Sequence, residues 1–299
     1  LARTGKLLAD RALTLSGWEE ITLDRHEGGD YEVKPPPEYP EYRVYIWDNF
    51  TSGNQDIGYK IANAGHKVIL CSVTNFYFEL AYSKDPLEPG EYWGGFVDTR
   101  KAFEYIALDV FKSIRTNTLG KPYDPDVDFK DMVRLDPGST EHILGIQACL
   151  WSESIFGPVS LEYFSMPKLL GLAERAWSEQ PGWALMEDEK ARELTLEADW
   201  NLFANALGQR ELPRLDHLAG GYAYRLPPPG LQIKEGMLFA NSQFPGLSIR
   251  YTLDGSEPTL NSMNYEGPIR LNPDQAEGEV KARTFSSKGR GSKTVGIAY

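Results

Sequence analysis

The sequence has little of what holds metals or cross-links a fold. Its 299 residues include only two cysteines, Cys71 and Cys149, and four histidines. No Cys-x-x-Cys or His-x-x-x-His pattern occurs, so neither a disulfide framework nor a metal site has support, and no cofactor is expected. Both cysteines lie in apolar runs and read as buried thiols. Basic residues are also scarce: 31 Lys and Arg face 43 Asp and Glu, a net charge of −12. That balance argues against a nucleic-acid partner and suits an enzyme acting on neutral sugars or peptides. No apolar run approaches the ~20 residues of a membrane span. The first residues, Leu1-Ala-Arg-Thr-Gly-Lys6, have neither Met nor the apolar stretch of a signal peptide. They read like the middle of a helix, and the chain is expected to be cut from something longer.

Aromatics placed at the ends of apolar runs are what the sequence does have. Residues 142–153 begin as a run typical of a strand buried on both faces and end in Trp151 and Glu153. Arg43-Val-Tyr-Ile-Trp47-Asp48 repeats the layout, as does Lys67-Val-Ile-Leu-Cys-Ser72 leading into Phe76-Tyr77-Phe78-Glu79. A shorter run, Ala12-Leu-Thr-Leu15, leads into Gly17-Trp18-Glu19-Glu20. Helices are expected at 1–10, 54–64, 99–111, 159–179 and 185–207, and loops at 24–42, 73–98 and 115–140. Strand, long loop, helix is the rhythm of a parallel α/β fold. Long aromatic loops after the strands match a (β/α)8 barrel, but such a barrel needs eight strands and about 250 residues. The expectation is half a barrel over 1–211.

From Leu212 the composition turns to Pro and Gly, ending in Leu226-Pro-Pro-Pro-Gly230. This predicts a linker at 212–230. Short strands at 237–240, 247–252, 278–284 and 294–298 then predict a small all-β sandwich over 231–299.

Trp18, Trp47, Tyr77, Trp93 and Trp151 all fall at or just past strand ends. Any one of them could be core packing, but convergence on one barrel face favours a ligand wall. Indole faces suit the C–H groups of a pyranose ring, while its hydroxyls need polar neighbours. Glu79 and Glu153, each two residues past one of these aromatics, would supply them, since a carboxylate accepts two hydroxyl hydrogen bonds.

These motifs, in this order, resemble glycoside hydrolase family 20, the β-N-acetylhexosaminidases. Gly17-Trp18-Glu19-Glu20, Tyr77-Phe78-Glu79, Tyr92-Trp93-Gly94 and Gly145-Ile-Gln-Ala-Cys-Leu-Trp151-Ser-Glu153 carry the resemblance. Leu169-Leu-Gly-Leu-Ala-Glu-Arg-Ala-Trp177-Ser is similar to the family's helix after its last strand, and 225–299 to the C-terminal sandwich of bacterial hexosaminidases, most visibly at Ile249–Thr259. The resemblance implies that Trp18, Trp47 and Trp151 wall a terminal N-acetylhexosamine. It implies that Tyr77 holds the acetamido carbonyl, that Glu153 binds outer hydroxyls and that Trp93 lies near the leaving group. Glu79 stands where the family usually has Asp.

The implied activity is retaining exo-hydrolysis of N-acetylhexosamines, the 2-acetamido group acting as nucleophile. The family's Asp-Glu pair lies in a His-x-Gly-Gly-Asp-Glu motif upstream of the Gly-Trp-Glu-Glu strand. Nothing before Gly17 matches it, so the chain alone is expected to be inactive and to need its N-terminal half as partner. His26-Glu27-Gly28-Gly29-Asp30-Tyr31-Glu32 imitates the motif, but after Trp18 and with the acid displaced, and it reads as a loop coincidence rather than a catalytic use of Asp30 or Glu32. The alternative is a non-catalytic carbohydrate-binding protein. The sandwich, with its aromatics scattered, reads as a structural appendage rather than an adhesion module. The resemblance also implies a secreted or periplasmic bacterial protein.

Overall fold

The computed structural model describes residues 2–26, 31–37, 42–51, 53–272 and 278–299. In chain order the elements begin with helix α1 (Ala2–Ala9) and strands β1 (Leu15–Trp18), β2 (Leu23–Arg25), β3 (Tyr31–Val33) and β4 (Tyr42–Ile46). Helix α2 (Ile57–Asn63), strand β5 (Val68–Leu70), helices α3 (Val73–Phe76), α4 (Thr99–Phe103) and α5 (Pro125–Asp128) and strand β6 (Ile143–Ile146) follow. Next come helices α6 (Pro158–Ser165), α7 (Lys168–Trp177), α8 (Glu189–Ala206) and α9 (Leu212–His217). Strands β7 (Gly230–Lys234), β8 (Met237–Asn241), β9 (Ser248–Thr252), β10 (Met263–Asn264), β11 (Ile269–Arg270), β12 (Glu279–Phe285) and β13 (Val295–Ala298) close the series.

The chain forms two compact units, residues 1–156 with 168–192, and residues 157–167 with 193–299. In the first unit β1, β4, β5 and β6 make a four-stranded parallel sheet in that order. Val44, Ile46, Val68 and Leu70 are buried beneath α2, whose Ile57, Ile61 and Ala62 cover them. All four strands run the same way, so their C-terminal ends share one edge and present Trp18, Trp47, the segment entering Tyr77, and Trp151 side by side. This is a partial (β/α)8 barrel.

The second unit carries two antiparallel sheets, β10-β9-β12-β13 and β11-β8-β7. Leu238, Ile249, Tyr251, Leu271, Val280 and Ala282 fill the space between them. Alternating burial along β9 and β12 gives each strand one inward face, the pattern of a sandwich.

Several expected elements move. Strand 12–16 becomes Leu15–Trp18, because Asp10 to Ala12 still hydrogen-bond back into α1 and Ala12 has a φ of 54°. The stripe expected on a helix over 99–111 is buried, but α4 stops at Phe103. The Tyr59 hydroxyl donates to Ala107 O and accepts from Val110 N, drawing that turn off the helical path. The helix expected over 159–179 is two helices, α6 and α7, divided at Pro167. The expected loop 24–42 contains the antiparallel pair β2–β3. Nor is 212–230 an extended linker. Residues 212–217 are helical, with Pro213 in the first turn where it forfeits no hydrogen bond. Tyr224 and Leu226 are buried, and the Tyr224 hydroxyl donates to the buried Asp216 at 3.0 Å.

Candidate active site

The four strand ends meet around a cavity of about 530 Å³ lined by Trp18, Glu20, Trp47, Tyr77, Glu79, Glu91, Trp93, Trp151 and Glu153. Every site residue expected from the sequence is among them. Tyr77 forms the floor, only 4% exposed. Its ring centroid lies 6.5 Å from Trp47 in a near-parallel stack, 5.9 Å from Trp93 and 6.1 Å from Trp151, the last two edge-on. Trp18 closes the side, 5.9 Å from Trp151. Trp93 and Trp151 keep 45% and 40% of their surface open, so they are walls rather than core. Phe50 backs both Trp47 and Trp93.

Carboxylates tie this cup to the sheet. The buried Glu19 accepts the backbone N–H groups of Trp47 at 2.9 Å and Asp48 at 3.0 Å, fastening the end of β1 to the end of β4. Its neighbour Glu20 points the other way, is exposed, and accepts the Trp47 indole N–H at 3.0 Å. Glu91 accepts the Ser154 hydroxyl at 3.0 Å.

Glu79 is 2% exposed, and its Oε2 accepts the Trp151 backbone N–H at 3.4 Å. Its other oxygen, Oε1, is buried without a hydrogen-bond partner. Such an orphan acceptor costs about 1–3 kcal/mol and would be satisfied by a donor entering the cavity. Burial pushes the Glu79 carboxyl up to about 7, with Lys168 pulling the other way. Burial likewise pushes Glu19 up to about 7 against its backbone hydrogen bonds. It also raises the Tyr77 phenol far above its ordinary range, with the Cys149 thiol adding to the shift. Tyr77 is therefore a neutral hydroxyl near pH 7, able to donate. A site with aromatic faces, one neutral donor and several carboxylate acceptors is built for a polyol with an apolar ring face.

Family models match nearly the whole chain. Residues 1–180 match the glycosyl hydrolase family 20 catalytic domain, and 211–294 the chitobiase/beta-hexosaminidase C-terminal domain. The chain belongs to glycosyl hydrolase family 20. Over 276 residues it is 29% identical to a beta-hexosaminidase of Vibrio vulnificus, covering 85% of this chain and 30% of that protein. Over 257 residues it is 32% identical to the N,N'-diacetylchitobiase of Vibrio harveyi, covering 83% of this chain and 27% of that protein. The chain thus spans under a third of the length of these relatives. A solved Vibrio harveyi exo beta-N-acetylglucosaminidase in complex with N-acetylglucosamine is 22% identical, covers 66% of this chain and 25% of that one, and superposes with a TM-score of 0.41.

In this family 20 chain, Glu20 and Glu91 line the cavity although neither was singled out from the sequence. Glu20 closes the Gly17-Trp18-Glu19-Glu20 motif, and Glu91 directly precedes Tyr92-Trp93. Glu32 lies on β3, exposed and 4.0 Å from His26, and does not line the cavity. Asp30 lies outside the described residues. Among the described residues no cluster of three or more His, Cys, Asp or Glu side chains is placed to hold a metal. No helix among them is long and apolar enough to cross a membrane.

Proposed function

We propose that the cavity receives the terminal non-reducing N-acetylhexosamine of a glycan, and that the chain supplies the sugar-binding half of an exo-β-N-acetylhexosaminidase barrel. The observation that carries this reading is the pairing of the Tyr77-floored aromatic cup with the partnerless Glu79 Oε1. A pyranose ring fills the cup, and one of its hydroxyls gives Oε1 the donor it lacks. The neutral Tyr77 hydroxyl donates to the acetamido carbonyl and holds it beneath the anomeric carbon. The carbonyl oxygen attacks that carbon, the aglycone leaves with a proton, and water opens the oxazolinium ring with retention. Holding the nucleophile in place is a contribution the chain's own residues make.

The proton for the aglycone comes, on this reading, from an Asp-Glu pair on the other half of the barrel. The sheet supports this, because β1 and β6 are its outer strands among the described residues. Along β6 runs an apolar groove of about 720 Å³ lined in part by Leu108, Leu144, Ile146, Leu169, Leu172 and Trp177. Leu144 and the 89%-exposed Trp177 lie open there, a surface that a further barrel half would cover.

Turnover of p-nitrophenyl N-acetyl-β-glucosaminide, by the chain alone and with an N-terminal barrel half supplied, tests the proposal. Hydrolysis only on complementation is expected. Hydrolysis by the chain alone would place the acid among the carboxylates present here. Sugar binding that never leads to turnover in the completed protein would favour a carbohydrate-binding role.

A further inference from the structure

The segment carrying Glu79 is held from beneath by a buried cation. Lys168, the first residue of α7, is 0% exposed. Taking an ammonium out of water costs several kcal/mol unless other groups replace its hydration. Here its Nζ donates to Phe78 O and to Leu80 O, each at 2.7 Å, and stands 3.8 Å from the centroid of the Tyr82 ring. The two carbonyls are those immediately before and after Glu79. The carbonyl between them, that of Glu79 itself, accepts the Glu91 N–H at 3.1 Å, and the Phe78 N–H donates to Cys149 O at 2.9 Å. Backbone on both sides of the Glu79 Cα is therefore fixed, leaving only side-chain torsions to aim its carboxylate.

We propose that Lys168 is a positioning residue for the cavity: by gripping the carbonyls on either side of Glu79, its ammonium sets where that carboxylate stands among the aromatic walls. The sugar-binding meaning of this role rests on the function proposed above, whereas the grip itself does not. A side chain that only filled space would need no charge at this point. Lys168 instead opposes the influence of Glu153 on Glu79. The other titratable groups around Glu79 are Glu20, Glu91 and Tyr77 along the cavity and the Cys149 thiol below.

The test is the carboxyl-carbon NMR titration of Glu79 in the full chain, assigned with Glu79→Gln, in wild type, Lys168→Met and Lys168→Arg. N-acetylglucosamine affinity is measured alongside. Lys168→Met is expected to raise the Glu79 midpoint by about one pH unit and to weaken binding about tenfold. Lys168→Arg, which keeps charge and donors, should recover most of both. A folded Lys168→Met chain with an unmoved Glu79 midpoint would overturn the proposal. If Lys168→Met does not fold, Lys168→Gln takes its place. Should neither neutral variant fold while Lys168→Arg does, the lysine holds the whole unit rather than one carboxylate, and the proposal also falls. A wild-type chain that binds no N-acetylglucosamine would defeat the proposed function, yet the Glu79 midpoint would still decide the role of Lys168.

Discussion

The Trp47 indole N–H donates to Glu20 Oε1 at 3.0 Å, joining the ends of two neighbouring parallel strands across 27 residues of sequence. The bond is exposed and adds little to stability. Its consequence is geometric, because it holds the indole within 23° of the plane of Tyr77.

Replacing Glu20 by Ala should therefore leave stability within about 1 kcal/mol of wild type, since one exposed hydrogen bond is lost. Affinity for N-acetylglucosamine should fall about tenfold as Trp47 loses its orientation. Calorimetric titration with thermal unfolding checks both, and an unchanged affinity would remove Glu20 from the site.

Tyr77→Phe keeps every ring contact and removes only the hydroxyl. Loss of a hydrogen bond to the acetamide should weaken N-acetylglucosamine binding about tenfold, whereas glucose, which has no acetamide, should bind as before. Equal losses for both sugars would mean that Tyr77 shapes the cavity without reading the acetamide.

These residues also mark how far the sequence could be read. Trp151 and Glu153 announce themselves because an apolar run that ends in an indole and an acid has few other uses. Yet β6 is an outer strand among the described residues, with Leu144 45% open, and not the strand buried on both faces that its composition suggests. The parallel α/β half and the small sandwich follow from period and punctuation. Glu19 and Glu20 look alike in sequence, yet one is a buried clasp on β4 and the other lines the cavity. Which of the two turns inward is set by the single helical turn Glu19–Thr22 that follows β1, and composition does not announce it. Lys168 gave no signal, because a lysine at a helix start normally faces water and only the carbonyls of 78 and 80, some 90 residues away, make its burial tolerable. The pairing of β2 with β3 is hidden by the proline run that follows β3, and the packed course of 212–230 by its own prolines, which mark turns and helix starts as readily as free loops.

Glu19 and Glu79 also fix a pH dependence. Burial raises each from 4.5 to about 7. Their contribution to stability is whole below about pH 4.5 and is lost as pH rises through 7, each shift corresponding to about 3 kcal/mol. The unfolding midpoint should fall between pH 4.5 and 8, and Glu79→Gln should remove about half of that fall, because two groups share it. Identical pH profiles for wild type and variant would contradict the burial described for Glu79.

Gly90 permits the close passage of its segment past Glu79. A Cβ there would stand 2.6 Å from Glu79 O and 2.8 Å from Ala81 N, at a φ of +120°. Gly90→Ala should cost about 2–4 kcal/mol in urea unfolding and weaken sugar binding by moving the Glu79 peptide. A neutral result would show that the two segments are free to part.

The most direct test of the cavity's role is titration of the chain with N-acetylglucosamine, followed by tryptophan fluorescence in wild type and in Trp151→Ala. Saturable change in the wild type, weakened at least about tenfold when the Trp151 wall is removed, is the expected result. A folded wild-type chain with no saturable response, or a response that survives Trp151→Ala unaltered, would contradict the assignment of this cavity to the sugar.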